Sequence, residues 1–172
     1  AIVSRISKSK NIEESIEGFL NSSASESGSI LIIGGPLTNE DEDYYEYLLN
    51  IYKEHKNVSF IGPVPHSELV NYLKNVSFHI NNTDKGFYDK SVLETSVNGI
   101  INFYKNIDYD KNIPSKYQEN LKFDGSPSDL SNKISSIFSL DQNEFLKIIE
   151  HSQEEIKNES LDTLLKRITR VI

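Results

Sequence analysis

The order of apolar runs along these 172 residues predicts an α/β fold, a mainly parallel sheet with helices on both faces. Two observations carry that expectation. Strand-like and helix-like segments alternate from residue 1 to residue 104. One run, "ILIIGGP" (residues 30–36), is continuously apolar, as a strand covered on both faces has to be.

Taken in order, "AIVSRI" (residues 1–6) reads as a strand followed by a polar turn with two lysines. "NIEESIEGFLNS" then sets Ile12, Ile16, Phe19 and Leu20 at helical spacing. "SASESGS" is a small-residue loop, and residues 30–36 are the buried strand closing on Gly-Gly-Pro. "NEDEDYYEYLLNIYKEH" (residues 39–55) is a helix whose acidic first turn suits the helix dipole. Residues 58–61 form a short strand ending in a Gly-Pro turn. "HSELVNYLKN" follows as a helix with Ser67 at its N-cap and Leu69, Tyr72 and Leu73 on one face.

"VSFHIN" is the next strand, residues 91–98 the next helix, and Gly99 its left-handed cap. "IINFY" is a strand. Beyond it residues 105–120 read as loop with a short helical turn, and "LKFDG" as a last short strand. "SPSDLSNKISSIFS" is a short helix. Residues 141–172 form one long or broken helix, a tail with Phe145, Ile148, Ile149 and Ile156 spaced for packing.

Bulk properties exclude several classes of function. With 37% hydrophobic residues the chain is expected to fold as one domain. A net charge of −8 weighs against nucleic acid as the main partner, because duplex binding needs a basic face. There is no cysteine, which removes disulfides and thiolate metal sites and fits a cytoplasmic setting. No apolar run approaches the ~20 residues of a membrane span. The direct start on a strand suggests a piece of a longer protein, with an upstream domain absent from this chain.

Ligands in open α/β sheets bind beyond the carboxyl ends of strands, near helix N-termini. The residues to weigh are therefore 5–10, 34–36, 62–66 and 81–94. Arg5, Lys8 and Lys10 can neutralise a diphosphate, and a solvated basic turn is the alternative. "IIGGP" lacks both the G-x-G-x-x-G pattern and a P-loop ending, so a tight turn at Gly35 is the simple reading. The turn "GPVP" can present backbone groups to a planar base. His55, His66, His79 and His151 show no metal-binding spacing.

The stretch "KGFYDKSVLETSVNG" (residues 85–99) is richer. Gly86 permits close approach or an unusual backbone angle, and Ser91 can cap the helix. The amides of Ser91, Val92 and Leu93 form a helix start suited to phosphate. Glu94 can accept hydrogen bonds from two ribose hydroxyls, or can be a solvated helix residue.

In order and spacing, "VSRISKSKN", "LIIGGP", "VSFIGPVPHSELVNYLKNVSFHINN" and "GFYDKSVLETSVNGI" resemble the carboxyl-terminal domain of group 1 retaining glycosyltransferases of the GT-B fold. The resemblance covers about residues 1–104. It implies a Rossmann-like three-layer domain, one half of a GT-B fold, that holds a nucleoside diphosphate sugar. Arg5 and Lys10 match the family's diphosphate-binding pair, with Ser4 where a glycine is usual. Gly62, Pro63 and Val64 match the turn that meets the nucleobase, and "LETSVNG" matches the helix whose glutamate, here Glu94, holds the ribose. The family's E-x7-E motif is incomplete: Gly86 stands where its first acid is expected, between Asp84 and Asp89.

The resemblance thus implies a transfer of sugar with retention, with Arg5 and Lys10 as the catalytic cations. Gly35, Gly62, Pro63, Val64, Gly86, Phe87, Tyr88, Asp89, Lys90, Ser91, Val92, Leu93 and Glu94 would line the donor site. No metal and no cofactor are expected. The expected partners are the nucleotide-sugar donor, a missing N-terminal domain of the same protein and an acceptor of open identity, whether glycan, lipid or protein. The isolated domain is expected to catalyse little. Peripheral contact with the inner face of a membrane is left open for the full-length protein. Two alternatives stand beside this reading: a non-catalytic α/β regulatory or partner-binding module with a degenerate site, and a GT-B nucleotide-sugar epimerase.

Overall fold

The computed structural model describes residues 1–157. Its strands are β1 (Ile2–Val3), β2 (Ile30–Ile33), β3 (Val58–Gly62), β4 (Phe78–Asn81) and β5 (Ile101–Tyr104). β2 lies between β1 and β3, β4 pairs with β5, and every pairing is parallel. Ala1 joins the two ladders: its carbonyl accepts from the Ile80 N–H at 2.9 Å, and its amino group donates to the Phe78 carbonyl. The spatial order is therefore β3-β2-β1-β4-β5. The winding reverses between β1 and β4, and such a reversal opens a crevice at the carboxyl ends of the two strands.

Alternation along the strands explains the continuous apolar runs. Ile2, Ile30, Ile32, Phe60, Ile80, Ile101 and Phe103 face the main core. Val3, Leu31, Ile33 and Ile61 face a smaller cluster on the other side. A sheet covered on both faces has no polar side to show in the sequence. β1 is shorter than the six residues expected. Past Val3 the chain still follows β2, with Ser4 N–H on the Ile33 carbonyl (3.1 Å) and Ile6 N–H on the Gly35 carbonyl (3.0 Å), but β2 turns away at Gly34–Gly35 and regular pairing stops.

Helix α1 (Ile12–Leu20) buries Ile12, Ile16 and Phe19 and packs on α6 (Pro127–Phe138). α2 (Asn39–Tyr52) is capped by Thr38, whose hydroxyl accepts from the Asp41 N–H. α3 (His66–Leu73) starts one residue before the expected cap, so Pro65 and not Ser67 stands at its N-cap. Its buried stripe is Leu69 and Leu73 alone. Tyr72, about 100° round the helix from Leu73, is 38% exposed. α4 (Ser91–Val97) is not capped by Ser91 either: Lys90 occupies the cap position with helical angles, and no side chain closes the turn. Gly99 ends it in the left-handed conformation, φ 76°.

After β5 the structure holds more helix than the sequence promised. Asn106 accepts from the Asp108 N–H (2.9 Å) and starts the 3-10 turn Ile107–Asn112. α5 (Ser115–Leu121) follows Pro114. "LKFDG" adds only an isolated bridge between Lys122 and Tyr104, because the chain leaves the sheet at once for Ser126, the cap of α6. α7 (Gln142–Lys157) buries Ile148 and Ile156 and packs Phe145 and Ile149 partly, as the spacing indicated. The rest of the expected tail, residues 158–172, lies outside the described residues. Among those described, no helix is long and apolar enough to cross a membrane.

Candidate functional site

The floor of the crevice is backbone. Gly34 N–H donates to the Gly62 carbonyl at 2.9 Å, which draws the ends of β2 and β3 together. A Cβ on Gly35 would lie 3.2 Å from the Pro63 ring, so the turn after β2 packs closely on the proline that follows Gly62. Val64 turns its side chain away, onto the cluster of Ile33, Leu69, Leu73 and Ile100. This end of the crevice can therefore offer a planar ligand peptide groups and a proline ring rather than polar side chains.

The two cations expected after β1 differ in state. Arg5 is exposed, and its guanidinium has no hydrogen bond or ion pair among the described residues. Lys10 is buried, its ammonium 2.8 Å from both carboxylate oxygens of Asp89. Lys8 is exposed and lines a different hollow, with Glu13, Glu14, Glu40 and Asp43. Asn11 donates from its side chain to the Asn82 carbonyl at 2.8 Å. The loops after β1 and β4 are thus tied directly across the strand-order reversal.

Residues 84–90 sit on a layer of polar groups that sequence reasoning did not single out. Asn81 donates to Asp89 Oδ2 (3.1 Å) and accepts from the Thr83 hydroxyl (2.6 Å). Gly86, at φ 93°, donates its N–H to Asp108 (2.7 Å). A Cβ there would meet nothing within 4 Å, so the glycine serves the backbone angle and not close approach. The Phe87 carbonyl accepts from Thr83 and Asn106. The Tyr88 hydroxyl donates to Asn112 (2.8 Å), and its ring stacks on Tyr109 with centroids 4.9 Å apart. Tyr109 accepts from the Asp89 N–H (2.6 Å) and is close to the Asp89 carbonyl (3.2 Å). Burial raises the Tyr109 phenol above its ordinary value, which keeps it protonated and able to donate. The rings of Phe87 and Tyr88 remain substantially exposed.

Helix α4 forms the next wall. By position, the first-turn amides of Ser91, Val92 and Leu93 lack intrahelical acceptors. Val92 is wholly buried, so its side chain belongs to the core and only its amide is available. Ser91 is buried too, its hydroxyl without a hydrogen-bond partner among the described residues. Lys90 is exposed, and its carbonyl accepts from the Glu94 N–H. The Glu94 side chain is 34% exposed, with Oε1 3.9 Å from His66 Nδ1. Both line a cavity of about 310 Å3 between α3 and α4, with Leu69, Leu73, Leu93 and Val97.

Beneath α4, Asn102 of β5 organises a buried network. Its carbonyl oxygen meets His79 Nδ1 and the Thr95 hydroxyl, each at 2.7 Å, and its amide donates to the Ser96 hydroxyl (2.8 Å). Burial pushes the His79 imidazole down to about 4, so it is neutral in the folded chain. Among the described residues no group of three or more His, Cys, Asp or Glu side chains is arranged to hold a metal ion.

No protein-family model matches the chain, and no curated protein matches it. Solved structures do. The catalytic domain of cholesterol-α-glucosyltransferase from Helicobacter pylori superimposes with a TM-score of 0.76 at 20% identity, over 92% of this chain and 98% of that one. The C-terminal domain of the group 1 family glycosyl transferase LpcC from Francisella tularensis gives 0.76 at 19% identity, over 91% of this chain and 83% of the other. Anabaena HepE, solved in complex with UDP, gives 0.79 at 16% identity, over 99% of this chain but 47% of HepE. The chain therefore has the α/β fold of the carboxyl-terminal half of GT-B glycosyltransferases and spans about half of a protein such as HepE.

Proposed function

We propose that the chain is the donor-binding half of a glycosyltransferase that moves a sugar from a nucleoside diphosphate sugar to an acceptor with retention. The observation that carries this reading is the strand-order reversal, which brings the loop of Arg5 and Lys10 against residues 81–90, with Glu94 one helical turn further on. Arg5 lies open to a diphosphate, and Glu94 is exposed enough to accept from ribose hydroxyls beside the Gly62–Val64 turn. The fold shared with HepE, a UDP complex, is consistent with that ligand class.

In this reading Arg5 and Lys10 stabilise the charge that develops on the leaving diphosphate, Lys10 doing so once the ligand takes the place of the Asp89 carboxylate. They supply the positive charge locally, and no bound cation is required of the site. The first-turn amides of α4 add dipolar donors, and residues 86–89 border the sugar. A second half of the protein, outside this chain, brings the acceptor, and the isolated domain turns over little or nothing.

Calorimetric titration with UDP, GDP, ADP and their sugars tests the reading. Binding of at least one at millimolar concentration or below supports it. A folded chain that binds none contradicts it.

The rival is a partner-binding module with a degenerate site. It draws on the neutralisation of Lys10 by Asp89 and on Gly86 in place of an acid. Replacing Arg5 and Lys10 together in the full-length protein separates the two, since only a degenerate site tolerates both changes.

A further inference from the structure

The Lys10 ammonium has no open side. Its Nζ stands 2.8 Å from each oxygen of Asp89 and 5.7 Å from the centroid of the Phe87 ring, and its side chain is 4% exposed. A phosphate oxygen reaches such a group only by replacing something already in contact with it. Of the two neighbours only Asp89 is hydrogen-bonded to the ammonium, so its carboxylate is the group whose place a phosphate oxygen would take. Its side chain is 26% exposed. The other ties of its loop run through Gly86 N–H, the Tyr88 hydroxyl and the Asp89 backbone, not through its carboxylate. Rotation of that one side chain frees Lys10 while the loop stays where it is, at the loss of one further bond, from Asn81.

We propose that Asp89 is the resident counter-anion of the diphosphate subsite: it competes with ligand phosphate for Lys10 and so sets how tightly the crevice holds a nucleoside diphosphate. The inference rests on the reading of Lys10 as a phosphate-binding cation. The event is an ion-pair exchange, in which Lys10 passes from a carboxylate to a phosphate and Asp89 turns towards water. A neutral ligand offers Lys10 less than the bidentate carboxylate it would displace, so the exchange favours a multiply charged phosphate.

The test compares the unaltered 172-residue chain with Asp89→Asn, which keeps the shape of the side chain and removes its charge. Both are titrated by calorimetry with UDP, GDP, ADP and inorganic pyrophosphate. For each probe that the unaltered chain binds, the variant is expected to bind about fivefold tighter, the scale of losing one competing, partly exposed charge pair. Adding Lys10→Met to Asp89→Asn is expected to abolish the gain. Equal or weaker binding by folded Asp89→Asn overturns the proposal.

Because the variant leaves a buried ammonium unpaired and can unfold, a second readout uses the unaltered chain. The 13C resonance of the Asp89 carboxyl is expected to shift on saturation with a probe that binds. A resonance that stays in place while the amides of residues 5–10 move also overturns the proposal. If the unaltered chain binds no probe at millimolar concentration, the donor reading falls and this proposal with it. Binding that is indifferent to Asp89 removes only the latter.

Discussion

The side chain of Asn11 donates to the Asn82 carbonyl at 2.8 Å and stitches the loop before α1 to the loop after β4. To do so Asn11 adopts φ 47°, the one positive value at a non-glycine residue among those described. The bond and the strain oppose each other, which makes their balance measurable. Asn11→Ala keeps the strained angle and loses the bond, a loss of about 2 kcal/mol. Asn11→Gly loses the bond and relieves the strain, so about 1 kcal/mol or less is expected. Urea denaturation ranks the two, and the order alanine worse than glycine is the expected outcome.

Gly34 and Gly86 both hold positive φ, at 142° and 93°, for different reasons. A Cβ on Gly34 would fall 1.8 Å from the Ser4 carbonyl oxygen, so β1 and the turn after β2 cannot both keep their places. Gly34→Ala is expected to cost about 3 kcal/mol or more, through backbone strain and forced separation. A Cβ on Gly86 meets nothing within 4 Å, and only the angle resists. Gly86→Ala is expected to cost about 1–2 kcal/mol. Thermal melting of the two variants checks the contrast.

His79 makes the fold sensitive to acid. Its pKa in the folded chain is about 4, below the ordinary 6.5. Between those values the unfolded chain binds a proton that the native chain does not. Its contribution is therefore complete above pH 6.5 and is lost as pH falls towards 4, on the order of 3 kcal/mol across the window. Urea midpoints of the unaltered chain and His79→Gln, followed from neutral pH down to pH 4, are expected to converge as the pH falls. A constant gap removes His79 from the account.

The donor reading separates the roles of exposed Arg5 and half-buried Glu94. Arg5→Ala is expected to weaken a nucleoside diphosphate while leaving the nucleoside unaffected, since its partner is phosphate. Glu94→Ala is expected to weaken both by about 1–3 kcal/mol, the range for a hydrogen bond to a charged group. Parallel calorimetric titrations with UDP and uridine, or the corresponding pair for the base that binds, distinguish the two.

What the sequence disclosed and what it concealed follow from the range of each signal. Alternation of apolar runs is local, and it located β2 to β5, α1, α2 and α4 within a few residues. Helix caps depend on backbone angles that residue type alone does not set, which is why Ser67 and Ser91 are capping residues by type but not by place. Val64 and Val92 lie at the crevice, yet send their side chains to the core. The polar layer of Asn81, Thr83, Asn106, Asp108, Tyr109 and Asn112 had no sequence signature. Its contacts join distant segments, and "KNIDYDKN" has the composition of a solvated loop. The pairing of Lys10 with Asp89 was hidden for the same reason: both residues stood out separately, but they are 79 positions apart.

In the donor reading, the crevice between the ends of β1 and β4 holds a nucleoside diphosphate. Amide 1H–15N NMR of this chain, titrated with UDP, GDP and ADP, tests it most directly. Shifts are expected for at least one of the three, concentrated at residues 5–10, 62–64 and 86–94. Saturating shifts centred elsewhere, or none at millimolar ligand in a folded chain, would contradict it.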